Sequence, residues 1–259
     1  MGVLNVTPDS FSDGGRYFDR ARAIEQAHEL VAEGAAILDI GGESTRPGAA
    51  AVDAEEETRR VLPVIEAVAA NVDVPISVDT SKPIVMRAAL EAGATMINDV
   101  RALREPGALE AVAASQAAVC LMHMLGEPRT MQVDPRYADV VREVREFLHA
   151  RLAACEGAGI ARERIALDPG FGFGKTLAHN LALLKALPEL ASPGVPLLVG
   201  LSRKGMLGTI LGKPTAERLQ GSIALATIAV LKGARIVRAH DVAETVDAVR
   251  VAAAVLEGG

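Results

Sequence analysis

The chain has 259 residues, 50% of them hydrophobic but only 3% aromatic and with no Trp, so a core must be built mainly from Ala, Val, Leu and Ile. The formal net charge of −6 argues against general nucleic-acid binding, which needs a basic face. Cys120 and Cys155 form neither a metal-type cluster nor a disulfide framework, and no signal peptide or bilayer-length apolar run is visible, so a cytoplasmic protein that contacts no membrane is expected.

Short β-type runs alternate with longer amphipathic ones. Val3–Val6 reads as the first strand, and Asp19–Ala32 as a helix with Ala23, Ala27, Leu30 and Val31 at helical spacing. Ala36–Ile40 is the second strand. Asp53–Ala70 follows as a helix, with Asp53 and Glu56 at capping-box spacing. Strands at Pro75–Val78, Thr95–Asn98 and Ala117–Met122 are separated by helices at Lys82–Glu91 and Pro106–Ala114. A long charged helix, Arg136–Glu156, leads to strand Arg164–Leu167 and helix Thr176–Leu187. Strand Leu197–Val199, helices Lys204–Leu211 and Thr215–Lys232, strand Arg235–Val237 and helix Asp241–Leu256 complete the chain.

No linker or composition break divides these units, so residues 1–259 read as one domain. Alternating strands and helices with short connections imply parallel strands and right-handed crossovers. Eight such units in about 250 residues match an α/β fold of the (β/α)8 TIM-barrel type. The rival is an open doubly wound sheet. The barrel is preferred because polar residues follow nearly every strand rather than one switch point.

In a barrel the chemistry sits at the C-terminal strand ends. Those ends carry Asn5, Asp39, Asp79, Asn98-Asp99, His123, Asp168, Ser202-Arg203-Lys204 and Arg238-Ala239-His240-Asp241. Burying carboxylates and an amide at a barrel mouth costs several kcal/mol unless partners exist. Acceptors together with Lys204 suit a flat nitrogen heterocycle whose ring N–H and amino groups donate. Arg238 and His240, two apart, can both approach a phosphate. Asn5 and first-loop acids offer the oxygen donors that Mg²⁺ prefers. The turn Gly200 to Gly205 leads into a helix N-terminus, which attracts anions. Bland readings stand beside these: Asp241 as a helix cap, His123 as a satisfied core imidazole, Lys82 and Lys175 as solvated cations. The glycines of Gly170 to Gly174 lack Walker spacing and read as allowing close backbone approach.

The stretches Asn5 to Gly15 (NVTPDSFSDGG) and Gly41 to Gly48 (GGESTRPG) closely resemble the two signature loops of the dihydropteroate synthase family. The likeness continues in order through Ser77 to Thr80, Ile97 to Asp99, Leu121 to Met124, Asp168 to Gly170, Gly172 to Lys175, Gly200 to Gly205 and Arg238 to Asp241. The resemblance implies a pterin-binding barrel, usually a homodimer, that joins (7,8-dihydropterin-6-yl)methyl diphosphate to 4-aminobenzoate in folate biosynthesis and is a target of sulfonamides. By that match Asp79, Asn98, Asp168 and Lys204 bind the pterin. Asn5, Arg238 and His240 bind the diphosphate, with Mg²⁺ held by Asn5 and Asp13. Thr45 and Arg46 belong to the second loop, and Pro47, Phe173, Ser202 and Arg203 shape the aminobenzoate pocket. The implied catalytic residues are Asn5, Lys204, Arg238 and His240, acting in an SN1-like displacement. Glu127 departs from the family pattern, where a small polar residue is expected. A pterin-dependent methyltransferase and a catalytically silent pterin binder are the alternatives; neither needs a diphosphate site.

Overall fold

A computed structural model of the chain describes residues 1–6, 15–44, 52–128, 130–192 and 194–258, with side chains of the first helix from residue 20 onward. Strands β1 (Gly2–Asn5), β2 (Leu38–Gly41), β3 (Ile76–Asp79), β4 (Met96–Asp99), β5 (Ala118–Met122), β6 (Ile165–Asp168), β7 (Leu197–Gly200) and β8 (Ala234–Arg238) form one parallel sheet in chain order. The ends meet. Gly2 bridges Ala239 just beyond β8, the Val3 N–H donates to Ala239 O at 3.1 Å, and the Ala239 N–H donates to Met1 O at 3.0 Å. An open doubly wound sheet would leave those two edges apart, so the (β/α)8 barrel is the fold.

Around the barrel lie α1 (Gly15–Ala32), α2 (Ala54–Ala69), α3 (Pro83–Glu91), α4 (Ala108–Ala113), α5 (Val140–Gly157), α6 (Leu177–Lys185), α7 (Gly205–Leu211), α8 (Leu219–Leu231) and α9 (Val242–Glu257). Local chemistry sets several boundaries. Asp53 caps α2 by accepting the Glu56 N–H at 2.8 Å, but the Glu56 carboxylate turns to Arg59 and Arg60, so only half of the capping box forms. The α5 helix starts at Val140, four residues later than the charge pattern suggested. Asp139 accepts the Arg142 N–H at 3.0 Å there, and Glu143 accepts the N–H groups of Ala138 and Asp139. The segment after Pro214 begins as a 3₁₀ turn, Thr215–Glu217, before α8.

Strand alternation sorts the side chains into two sets. Leu4, Leu38, Ile40, Val78, Ile97, Leu121, Leu167 and Val199 point outward and pack with Val61, Ile65, Met86 and Leu148 from the helices. Met96, Cys120, Ala166 and Leu198, one each from β4 to β7, form a separate apolar cluster that Ile236 of β8 partly covers. That cluster fills the barrel interior. Two residues further along the same strands, on the same face, come Asn98, Met122, Asp168, Gly200 and Arg238. The interior therefore changes from apolar to polar within one alternation, and the polar layer lies at the C-terminal mouth.

Candidate active site

Arg238 is the hub of that polar layer. Its Nε donates to Asp39 Oδ2 at 2.6 Å and its Nη2 to Asp79 Oδ2 at 3.2 Å. Asn98 Nδ2 also donates to Asp39 Oδ2, at 3.2 Å. Asp39 is fully buried, and its Oδ1 has no hydrogen-bond partner among the described residues. Sequence reading placed Asp39 at a strand end but gave it no role. Its alternation with the outward-facing Leu38 and Ile40 was the available signal.

Asp79, Asn98, Asp168, Phe173, Lys204 and Arg238 line one cleft. Three carboxylates (Asp39, Asp79, Asp168) share two cations (Lys204, Arg238). Burial pushes the Asp79 carboxyl up to about 7, against the pull of Arg238. Burial likewise raises Asp168 to about 6, although it accepts the Gly170 N–H at 2.7 Å and faces Lys204. Burial lowers Lys204 to about 8, with Arg238 adding to the effect. For Arg238 burial works against the charge, but the carboxylates of Asp39 and Asp79 outweigh it and raise the pKa. The site is thus prepared for a neutral ring rich in N–H donors, which would complete the carboxylates' hydrogen bonding.

The loop after β6 closes one side. The Phe173 ring lies 4.3 Å from Lys204 Nζ, a cation–π contact. Gly172 has φ +80°, and a Cβ there would stand 3.3 Å from Lys204 Cδ, so its absence makes room for the lysine stem. A second cavity, of about 520 Å³, shares Asp79 and Val100 with the cleft and extends toward Ser44, Lys82 and Arg101.

Ser202, Arg203 and His240 form a separate group at the ends of β7 and β8. Ser202 Oγ accepts the His240 N–H at 3.3 Å and lies 3.1 Å from His240 Nδ1. Arg203 has φ +57°; its N–H donates to Ser222 Oγ at 2.9 Å, and its guanidinium pairs with Asp241. Asp241 therefore does not cap α9 with its side chain, contrary to the sequence reading: Arg203 takes the carboxylate instead. Lys204 sits at the N-cap position of α7, so Ser202 lies just ahead of that helix rather than in its first turn.

Asn5 ends β1 opposite Gly41. A Cβ at Gly41 would lie 3.9 Å from Asn5 Oδ1 and 4.0 Å from Asp79 Oδ2, so Gly41 stands beside both oxygens. Asp13, Thr45, Arg46 and Pro47 lie outside the described residues.

Two further sequence readings need correction. Lys175 is not solvated; it is 3% exposed and fully engaged with polar partners. Lys82 is paired with Glu43 and with the buried Glu57. Glu127, the departure from the family pattern, pairs with Arg101. His123 is the core imidazole of the two readings, buried edge-on against Phe147 at 4.9 Å.

The comparisons with known proteins agree with this geometry. Residues 1–240 match the family described as pterin binding enzyme. The chain is 56% identical to the dihydropteroate synthase of Escherichia coli (strain K12) over 256 residues, covering 99% of this chain and 91% of that one. It belongs to the dihydropteroate synthase family of pterin-binding enzymes. The dihydropteroate synthase of Xanthomonas albilineans, solved with 4-aminobenzoic acid, superposes with TM-score 0.92 at 54% identity, over 98% of this chain and 92% of that one. The Burkholderia cenocepacia dihydropteroate synthase, complexed with 7,8-dihydropteroate, gives TM-score 0.89 at 52% identity, covering 99% and 91%.

Proposed function

We propose that this chain is a transferase that condenses (7,8-dihydropterin-6-yl)methyl diphosphate with 4-aminobenzoate to give 7,8-dihydropteroate and diphosphate. The observation that carries the reading is the convergence of Asp79, Asn98, Asp168, Lys204 and Arg238 on one cleft in a chain matched to this family over nearly its whole length. Asp79, Asn98 and Asp168 accept from and donate to the pterin edge, and Lys204 supports its ring beside Phe173. Asn5, Arg238 and His240 take the diphosphate. Ser202, Arg203 and Pro47 border the aminobenzoate, with Thr45 and Arg46 on the adjoining loop.

The chemistry breaks the bond between the methylene carbon and the diphosphate oxygen. The electron pair leaves with diphosphate, where cationic side chains disperse the charge. The electron-rich pterin stabilises the carbon it leaves behind. The aminobenzoate nitrogen then bonds that carbon and gives up one proton. The Asn5 carboxamide oxygen is a hard neutral donor that fits Mg²⁺, and Asp13 is proposed as the second ligand. When bound, that ion would neutralise diphosphate charge while keeping several waters.

We further propose a cytoplasmic homodimer. No described helix is long and apolar enough to cross a membrane, and Cys120 and Cys155 are both free and buried. Ile228 and Leu231 of α8 and Val251 and Val255 of α9 are exposed on neighbouring helices.

The test follows diphosphate release from the pterin diphosphate with Mg²⁺, with and without 4-aminobenzoate. Release with dihydropteroate is expected. Pterin binding with no release in either condition would overturn the synthase reading in favour of a methyltransferase or a silent binder.

A further inference from the structure

Lys175 has no part in the chemistry described so far, yet it is among the most enclosed charged groups in the molecule, at 3% exposure. Its Nζ lies 2.9 Å from Gly170 O, 3.0 Å from Phe173 O, 2.9 Å from His123 Nδ1 and 3.3 Å from His123 O. An ammonium has three protons and accepts none. Burial lowers the Lys175 pKa to about 7; in the ammonium form His123 Nδ1 is the acceptor, which places the imidazole proton on Nε2. Burial and the nearby Lys175 hold His123 neutral, with its pKa lowered to about 3.

The segment that Lys175 gathers is rich in glycine. Gly170, Gly172 and Gly174 all have positive φ, at +68°, +80° and +65°. Such a run loses more backbone entropy on ordering than any other composition. It also presses hard against the β5 side: a Cβ at Gly170 would stand 1.9 Å from His123 O, and one at Gly174 2.4 Å from Leu125 O. The two carbonyls that Lys175 holds within this loop belong to residues that organise the cleft. The Gly170 N–H fixes the Asp168 carboxylate at 2.7 Å, and the Phe173 ring covers Lys204 Nζ at 4.3 Å.

We propose that Lys175 is a positioning residue for the substrate cleft: it ties the Gly170 and Phe173 carbonyls to the β5 edge at His123, and through them sets Asp168 and Phe173 against the bound substrates. The idea rests on the synthase reading above for its substrates, but its structural half does not. Asn180 and Tyr137 assist at other points of the same loop, accepting the Gly172 N–H at 2.8 Å and donating to Gly174 O at 2.9 Å. Lys175 reaches across to both the ring and the carbonyl of His123.

The test compares wild type with Lys175→Met, which keeps the apolar stem and removes every donor. Both KM values are expected to rise about tenfold or more, since loss of position weakens binding as well as turnover. In a Phe173→Ala background Lys175→Met should cost much less than it does alone, because the two act through one element. A role in folding only would lower kcat with the active fraction and leave both KM values unchanged, and that result overturns the proposal. Amide exchange over residues 169–175 reads the loop whether or not the chain is active. Faster exchange confined to that segment is expected in the variant, and unchanged exchange overturns the idea. If Lys175→Met does not fold, Lys175→Gln, which retains an N–H on a shorter arm, is measured in the same way against the same two outcomes. Wild-type chain that makes no dihydropteroate would count against the synthase reading, while the exchange result would still decide the role of Lys175.

Discussion

Asp79 and Asp168 are held in a condition that ligand should relieve. Each is buried, and each has a pKa raised well above the ordinary carboxylate value, to about 7 and about 6. A ligand that donates N–H groups to a carboxylate favours the ionised form and must pull these values down. The sign follows directly. Above both values the groups are already ionised, and pterin affinity should be flat on their account. As the pH falls through 7 and then 6 a proton must be displaced on binding, so affinity should drop toward tenfold for each pH unit and each group titrated. Calorimetry with a dihydropterin in buffers of different ionisation enthalpy should record proton release near pH 6. An affinity constant from pH 8 to pH 5.5 would refute the assignment. Asp168→Asn should lose the lower step of that profile while folding at least as well as wild type, because the amide removes a charge that burial disfavours.

At the scale of elements, the described stems of the second loop are anchored by charges taken from neighbouring elements. Glu43 at the end of β2 accepts the Val52 N–H at 3.1 Å, joining the two stems of the second loop, and also accepts from Lys82 at the start of α3. Lys82 in turn neutralises Glu57, a fully buried carboxylate on α2 whose other oxygen has no partner among the described residues. Removing one partner of a buried pair leaves an uncompensated charge, at a cost of about 3 kcal/mol or more. Lys82→Met should therefore lower unfolding free energy by about that amount in denaturant titration, and adding Glu57→Gln should recover most of it. If the double variant is no more stable than Lys82→Met, the charge is not the cause. Elements of this kind mark where sequence reading stopped. The strands, their order and the polar residues at their ends were legible, because apolar runs of strand length were each followed by Asp, Asn or a cation. The carboxylates that hold Lys82 and the imidazole that meets Lys175 were not, because they lie 25 to 52 residues away and no local period records such a contact. Asp241 shows the same limit. Its position before α9 fits a cap, but Arg203, 38 residues earlier, competes for the carboxylate through a pairing that only the adjacency of β7 and β8 brings about.

For the whole molecule, barrel closure explains why one face carries the chemistry and leaves the outside free for assembly. Inward residues change from the Met96, Cys120, Ala166 and Leu198 layer to the polar mouth within two positions, so the described residues assigned to the pterin lie at one end of the barrel. On α8, Ile228 and Leu231 are three residues apart and on one side of the helix; on α9, Val251 and Val255 are four apart and likewise share a side, and all four are exposed. Water disfavours such a stripe by roughly 25 cal/mol for each Å² left uncovered, and a second copy of the same surface would remove that cost. Sedimentation at micromolar concentration should therefore give twice the 27.0 kDa chain mass. Replacing Ile228 and Leu231 together by Glu should shift the protein to the single-chain mass with the cleft intact, since neither residue lines it. Pterin binding by that monomer should persist, because every residue assigned to the pterin comes from one chain. A wild-type protein that sediments as a single chain would rule the dimer out, and a monomeric variant that no longer binds pterin would mean that the mouth of the barrel depends on the partner.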